Sequence, residues 1–322
     1  MKLLITGAWG NLGVMCVEQA LADGYDLRCF DLASATSQRI AQHYQQKYPQ
    51  RIETVWGDIT ALSEDSSLLA GIDGVIHNAS VLPPFTENHP LQALRINVKG
   101  TQKLIDLAEQ TGEALPFVFP SSVTVFGKPS TTPSIKSLSD TPTASDNYTR
   151  HKLTCEALLQ QSLLNWSILR VGVSVDSRTT TTDISTLKSL LRVHPENSLE
   201  YVHPRDVALA MCKAISTPEA HKKILLIGGG TACRVTQAQF INAALTSCGL
   251  QLKQHSFGSA PYYTHWMDTE ESQRLLNYQH HTFSDYQQEM HTAMKRVRYA
   301  VLPMRPLANW LLNLWVSKLS NA

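Results

Sequence analysis

Three glycines, Gly7, Gly10 and Gly13, recur at every third position near the start of the chain. Ahead of them, Leu3, Leu4 and Ile5 form an apolar run too short for a helix and suited to a strand buried on both faces. Behind them, Leu12, Val14, Met15, Val17, Ala20 and Leu21 recur at helical spacing. A strand, a glycine turn and a helix start, in that order, make a phosphate cradle. The glycines let the backbone turn sharply and approach a pyrophosphate, and the helix start offers unpaired N–H groups and a partial positive charge. Gly7, Trp9, Gly10, Asn11, Leu12 and Gly13 are therefore the expected dinucleotide phosphate site.

A second constellation lies near the middle of the chain. Tyr148 and Lys152 are four residues apart and share one helical face. An ammonium beside a phenol stabilises phenolate and draws the pKa down from about 10. Such a tyrosine takes the proton of a substrate hydroxyl as hydride leaves, or returns it in reduction. Ser122, at the end of an apolar run upstream, can hydrogen-bond the same substrate oxygen. A tyrosine and a lysine at this spacing also meet by chance on many surfaces. Together with the glycine turn and the serine they form a catalytic set.

These residues need a scaffold, and the pattern supplies one. Gly24 ends the first helix, and Leu27 to Phe30 read as a second strand ending at Asp31. That carboxylate lies about 20 residues past the glycine turn, where it can accept hydrogen bonds from an adenosine ribose; the plainer reading is a solvated loop aspartate. A carboxylate there repels the 2′-phosphate of NADP, and no Arg or Lys lies between Gly7 and Gly13, so NAD is expected over NADP. Arg28 and Arg39 are the nearest cations that argue otherwise. A helix over 37–47, strands over 52–56 and 74–77, a helix over 90–110 and a strand over 117–119 follow. This alternation predicts an α/β fold, a Rossmann doubly wound parallel sheet with right-handed crossovers and ligands outside the carboxyl ends of its strands.

Composition narrows the class. The chain has 322 residues, 43% hydrophobic and 17% charged, with a formal net charge of +1, so no global field recruits nucleic acid. Six scattered cysteines without a Cys-x-x-Cys pair argue against a disulfide framework or zinc site. Adjacent His280 and His281 point apart on any regular element, so no metal is expected. The first strand begins at the first residues, and the apolar runs are shorter than a membrane span. A cytoplasmic enzyme is the expectation.

The motifs, taken together, resemble those of the extended short-chain dehydrogenase/reductases, in the NAD-dependent epimerase/dehydratase group. Thr6-Gly-Ala-Trp-Gly-Asn-Leu-Gly13 is similar to that family's Thr-Gly-x-x-Gly-x-x-Gly. Gly57-Asp58-Ile59 resembles its adenine-contacting segment, which implies Asp58 at the adenine amino group. His77-Asn78-Ala79-Ser80 resembles the stretch beneath the cofactor, and Asn97-Val-Lys-Gly-Thr101 its Asn-Val-x-Gly-Thr. Ser121-Ser-Val-Thr-Val-Phe-Gly127 is similar to Ser-Ser-x-x-Val-Tyr-Gly, with Phe126 in the tyrosine place. Tyr201-Val-His-Pro-Arg-Asp-Val-Ala208 and Ile224-Leu-Leu-Ile-Gly-Gly-Gly230 resemble later landmarks. The resemblance implies Ser122 as donor to the substrate oxygen, Tyr148 as acid/base, and Lys152 on the nicotinamide ribose. It also places Val173 against the cofactor and Val123 against the substrate. Asn97 either takes part directly or braces the backbone. A homodimer, paired through helices that include the one bearing Tyr148, is implied as well.

The family's dehydratases carry an Asp-Glu pair after the active-site hydroxyl, whereas Val123 and Thr124 stand here, so dehydration is not expected. Dehydrogenases and epimerases share the Ser–Tyr–Lys machinery. Only residues 171–200 separate Arg170 from Tyr201, where members holding nucleotide sugars carry a longer insertion. A compact secondary alcohol or ketone of a small polar substrate, such as a sugar, sugar acid or hydroxy acid, is expected. A sugar or nucleotide-sugar epimerase with retained NAD, and a non-enzymatic dinucleotide-binding sensor, are the alternatives. Arg178 and Arg192 could bind a substrate carboxylate or phosphate, or be solvated surface residues. The expected division is a cofactor-binding unit of 1–170 plus about 200–228, and a smaller, discontinuous C-terminal substrate-binding lobe of 171–199 and 229–322. Within that lobe a helix over 237–248 and a strand over 250–253 are expected, and Tyr262, Tyr263 and Trp266 could line the cleft. Leu307, Trp310, Leu311, Leu314 and Trp315 form an apolar helical stripe amid Lys and Arg. It is expected to pack on its own chain, with contact to a membrane surface the alternative.

Overall fold

The computed structural model describes residues 1–128, 135–179 and 184–320. Seven parallel strands form the central sheet. They are β1 (Lys2–Thr6), β2 (Asp26–Asp31), β3 (Ile52–Trp56), β4 (Gly74–His77), β5 (Pro116–Ser122), β6 (Asn165–Val171) and β7 (Lys223–Ile227). Their order is β3-β2-β1-β4-β5-β6-β7, so the chain reverses direction of growth between β1 and β4. At that reversal Thr6 lies beside His77, and the carboxyl ends of both strands open into a crevice.

Alternation along β1 explains its apolar run. Leu3 and Ile5 face helices α1 (Asn11–Ala22) and α5 (Pro204–Ser216), while Leu4 faces α3 (Thr101–Glu109) and α4 (Asn147–Gln161). All three are 0% exposed, and burying each contributes roughly 1.5–3 kcal/mol. Helix α2 (Ala35–Lys47) starts at a capping box between Ser34 and Ser37, and α4 at one between Asp146 and Thr149.

A separate core gathers Leu191, Leu199, Tyr201 and Val235 with α6 (Gln237–Ser247), α7 (Phe283–Ala293) and α8 (Arg305–Ser320). Short pairings at its border, Ser198–Glu200 with Arg234–Thr236 and Ile135–Lys136 with Trp266–Met267, connect it to the sheet. Buried Glu200 ties this border. It accepts from Gly230 N at 3.1 Å, Met267 N at 2.8 Å and Arg234 Nε at 3.2 Å.

Three expectations change. The helix expected over 90–110 is broken into Pro90–Leu94, a π-helical turn at Arg95–Gly100, and α3. The wider turn carries Asn97 against Val81 and passes Gly100 over Ile59, where a Cβ would come within 2.7 Å. Residues 250–253 form no strand, because side chains instead hold their backbone: Asn242 accepts from Leu252 N, and Asn309 from Gln251 N, both at 2.9 Å. The apolar stripe of α8 packs only in part. Leu312, Trp315 and Val316 meet the core, whereas Leu307, Trp310, Leu311 and Leu314 are exposed. Asn309 and Asn313 anchor the helix and rotate the expected stripe away from the core.

Candidate active site

The glycine turn is shaped by close approach. Gly7 has φ +61°, and a Cβ there would lie 2.8 Å from Ala79 N; at Gly13 it would lie 2.0 Å from Gly7 O. Helix α1 therefore begins directly on the turn, and the turn is pressed against the segment just past β4. Its N-cap, Gly10, offers no side-chain hydrogen bond, and the first turn holds no acidic residue. The free N–H groups and the positive end of the dipole are left for an anion.

A cavity of about 470 Å³ opens over this turn. Gly7, Gly10, Asn11, Leu12 and Gly13 floor one end, with Asn78 and Ser80 beside them. Ser122, Tyr148 and Lys152 close the other end, and Arg178 reaches the rim. Two buried polar atoms in the same wall, Asn78 Oδ1 and Ser174 Oγ, have no hydrogen-bond partner among the described residues. Unpaired buried acceptors and donors cost free energy unless something meets them. An uncapped helix, a glycine floor and two orphaned polar atoms fit a dinucleotide laid along the cavity.

The reactive end is built from β5 and α4. Tyr148, Lys152 and Glu156 repeat every four residues on one face of α4. Lys152 is 5% exposed and donates to Pro120 O at 2.7 Å; its ammonium lies 5.6 Å from the Tyr148 ring centroid. Burial lowers its pKa to about 8, with Cys155 and Glu156 opposing. Burial also pushes the Tyr148 phenol above its ordinary range; a hydrogen bond with Ser122 lowers it, and Asp146 and Tyr262 raise it further. The expected lowering by Lys152 is not among the influences on the phenol: desolvation sets the direction, and the ammonium is directed at Pro120 instead. Ser122 Oγ accepts from Thr124 N at 3.3 Å and Thr124 Oγ1 at 3.0 Å, which fixes its rotamer.

Behind this end lies a buried polar layer with little local signal. Glu156 takes a two-pronged ion pair from Arg170, at 3.1 and 2.7 Å, and accepts from Ser121 Oγ. The position of Glu156 four residues after Lys152 was the one available hint. His77 spans Thr6 Oγ1 at 2.6 Å and Thr101 Oγ1 at 2.8 Å, and burial lowers its pKa to about 3, so it is neutral. Ser174, Gly172 and Leu82 also line the cavity and carry no motif, and Pro204 enters it from the Tyr201–Ala208 landmark.

Other residues singled out in the sequence stand around the cavity. Asp31 accepts from Trp9 N at 2.8 Å and Leu32 N at 2.7 Å; burial raises its pKa against these bonds. Trp9 faces an adjoining hollow of about 660 Å³ that shares Gly10, Asn11 and Arg178 with the first. Asp58 caps the short turn Ile59–Ala61 through Thr60 N at 2.8 Å, and Ile59 packs in the core. Ala79 N donates to Thr6 Oγ1 at 3.2 Å. Asn97 spends both ends of its amide on Val81, at 2.8 and 2.9 Å, in the bracing arrangement. Val123 turns into a small cluster with Phe126 and Met267, and Val173 bridges to Tyr201. Arg178 pairs with Asp176 at 2.7 Å and donates to Asn11 O at 3.2 Å. Arg192 lies outside the cavity wall, on the edge of the second core. Tyr262 and Tyr263 stack at 4.3 Å. Among the described residues no group of three or more His, Cys, Asp or Glu could hold a metal ion.

Residues 3–171 match the sequence model of the NAD dependent epimerase/dehydratase family. The chain is 27% identical to 3 beta-hydroxysteroid dehydrogenase type 7 of Rattus norvegicus over 276 residues, 82% of this chain and 74% of that one. It is 26% identical to the 3-beta-hydroxysteroid dehydrogenase of Mycolicibacterium neoaurum over 182 residues, covering 53% of this chain and 47% of that protein. The match thus spans about half the length of the latter relative. The structure is similar to UDP-glucuronic acid 4-epimerase from Bacillus cereus, solved with UDP-glucuronic acid and NAD. The TM-score is 0.75 at 20% identity, over 92% of this chain and 100% of that one. A double mutant of DesIV, the dTDP-glucose 4,6-dehydratase of Streptomyces venezuelae, solved with NAD, gives 0.76 at 21% identity, over 95% and 100%. At such identities these structures share the fold.

Proposed function

The chain belongs to the NAD dependent epimerase/dehydratase family, and on that premise we propose an NAD-dependent oxidoreductase acting on a secondary alcohol or its ketone. The observation that carries the reading is one cavity with an uncapped glycine-lined helix start at one end and Ser122, Tyr148 and Lys152 at the other. Gly10, Asn11, Leu12 and Gly13 would hold the pyrophosphate, Asp31 the adenosine ribose, and Lys152 the nicotinamide ribose. When bound, NAD supplies the hydride acceptor and, reduced, the hydride donor. Ser122 and Tyr148 hydrogen-bond the substrate oxygen. The buried neutral phenol gives a proton to a carbonyl oxygen in reduction and recovers it in oxidation, and the ammonium beside it stabilises phenolate in between. Asn97 positions the loop at Val81 rather than touching substrate. The core around α6, α7 and α8 would be the substrate lobe, and a cytoplasmic homodimer completes the reading.

For the substrate, the short segment before Tyr201 and Arg178 on the cavity rim support a small polar alcohol, a sugar, sugar acid or hydroxy acid. A second reading, an apolar ring alcohol, is supported by the pairing of Arg178 with Asp176, by Leu82, Val175 and Pro204 in the wall, and by the names of the curated relatives. The test is NADH formation across panels of polar and steroid-like secondary alcohols. Tyr148→Phe should keep NAD binding and lose about 100-fold or more in turnover; near-normal turnover defeats the assignment. Tightly retained NAD with no net NADH on any alcohol would move the reading to an epimerase.

A further inference from the structure

The C-terminal helices expose a run of large apolar side chains with cations close by in the sequence. Helix α8 is fastened on one side by Leu312, Trp315 and Val316, and by Asn313, which accepts from Ser256 Oγ at 2.8 Å. Its other side presents Leu307, Trp310 and Leu311, which are 48%, 60% and 50% exposed. The helix Lys295–Val301 before it adds Tyr299 at 64%, and the turn Leu302–Met304 adds Leu302 and Met304 at 39% and 58%. Large side chains of this kind are ordinarily exposed singly; a run of them marks a contact surface.

The charge around the run selects the partner. From Met290 to Ser320 the sequence carries Lys295, Arg296, Arg298, Arg305 and Lys318, and no Asp or Glu, in a chain whose formal net charge is only +1. Arg298 is partly spent on Thr246 O at 2.7 Å, while Lys295, Arg296 and Arg305 are exposed. A twofold pairing of two copies through this face would set the same cations against one another. An anionic lipid leaflet meets both features, taking the leucines and Trp310 into its acyl boundary and the cations among its headgroups. No helix among the described residues is long and apolar enough to cross a membrane, so the contact lies along the surface.

We propose that the face formed by Tyr299, Leu302, Met304, Leu307, Trp310 and Leu311 docks the protein on an anionic membrane surface. The intact protein should float with vesicles of phosphatidylcholine and phosphatidylglycerol mixed about two to one, and not with phosphatidylcholine alone. High salt should release it. The double variant Trp310→Glu/Leu311→Glu alters exposed positions, so its melting temperature should match wild type while partitioning falls at least about tenfold. Lys295→Gln/Arg296→Gln should lower partitioning to anionic vesicles about 25-fold, at about fivefold per cation. The proposal is overturned if wild type stays behind with anionic vesicles, or if either double variant floats as well as wild type. It is also overturned if the protein instead forms a dimer that Trp310→Glu/Leu311→Glu dissociates.

Discussion

Replacing Lys152 with methionine separates what this ammonium costs the fold from what it does for the site. The side chain is 5% exposed and donates to Pro120 O at 2.7 Å. Burial takes its pKa from 10.5 to about 8. At about 1.4 kcal/mol per tenfold change in proton affinity, keeping it charged at neutral pH costs on the order of 3 kcal/mol. Methionine keeps most of the length without the charge and relieves that cost. It also takes the donor from the Pro120 carbonyl, a loss of about 1–3 kcal/mol. The expected net effect is a gain of about 0–2 kcal/mol in stability at neutral pH, with turnover reduced by orders of magnitude. The pH dependence has a definite sign. Below about 8 the lysine is protonated both folded and unfolded, and the full cost is present; between about 8 and 10.5 the unfolded chain keeps a proton that the folded one has lost. Wild-type stability from this group therefore rises through that window, and the advantage of the variant should shrink. Urea titrations followed by tryptophan fluorescence near neutrality and near the top of the window measure both effects. A variant less stable than wild type by more than about 1 kcal/mol, or an advantage that does not change with pH, refutes the reasoning.

Two further substitutions probe the cradle and the layer behind it. Gly13→Ala would drive a Cβ to 2.0 Å from Gly7 O, so NAD should no longer raise the melting temperature; preserved thermal shifts would show that the turn does not hold the cofactor. Glu156→Gln leaves the Arg170 guanidinium, 5% exposed along its side chain, without its anion. Stability should fall by about 3–5 kcal/mol in denaturant titration, and a loss under about 1 kcal/mol would mean that water reaches the pair.

Much of this protein is written locally in its sequence. The strand, glycine turn and helix at its start follow from neighbouring residues, because strand burial, tight turning and helical periodicity act over a few positions. The spacing of Tyr148 and Lys152 likewise guarantees a shared face once α4 forms. Asp31 is legible from its place at a strand end, since the parallel sheet leaves such ends open for ligand.

What tertiary structure decided are the partners. Nothing near Asn97 in sequence shows that Val81 will take both ends of its amide, or that a π turn will deliver it there. Arg178 looked like a free cation until Asp176 and the Asn11 carbonyl claimed it. Residues 250–253 carry a strand-like pattern, yet Asn242, Asn309 and Asn313 supply their hydrogen bonds from elsewhere in the chain. Helical periodicity marked the apolar stripe of α8 but not which side would be buried, since a helix face is chosen by what it packs against. Even the proton affinity of Tyr148 depends on depth. Spacing puts Lys152 on its face of the helix, but burial, a property of the whole fold, sets the direction and raises it.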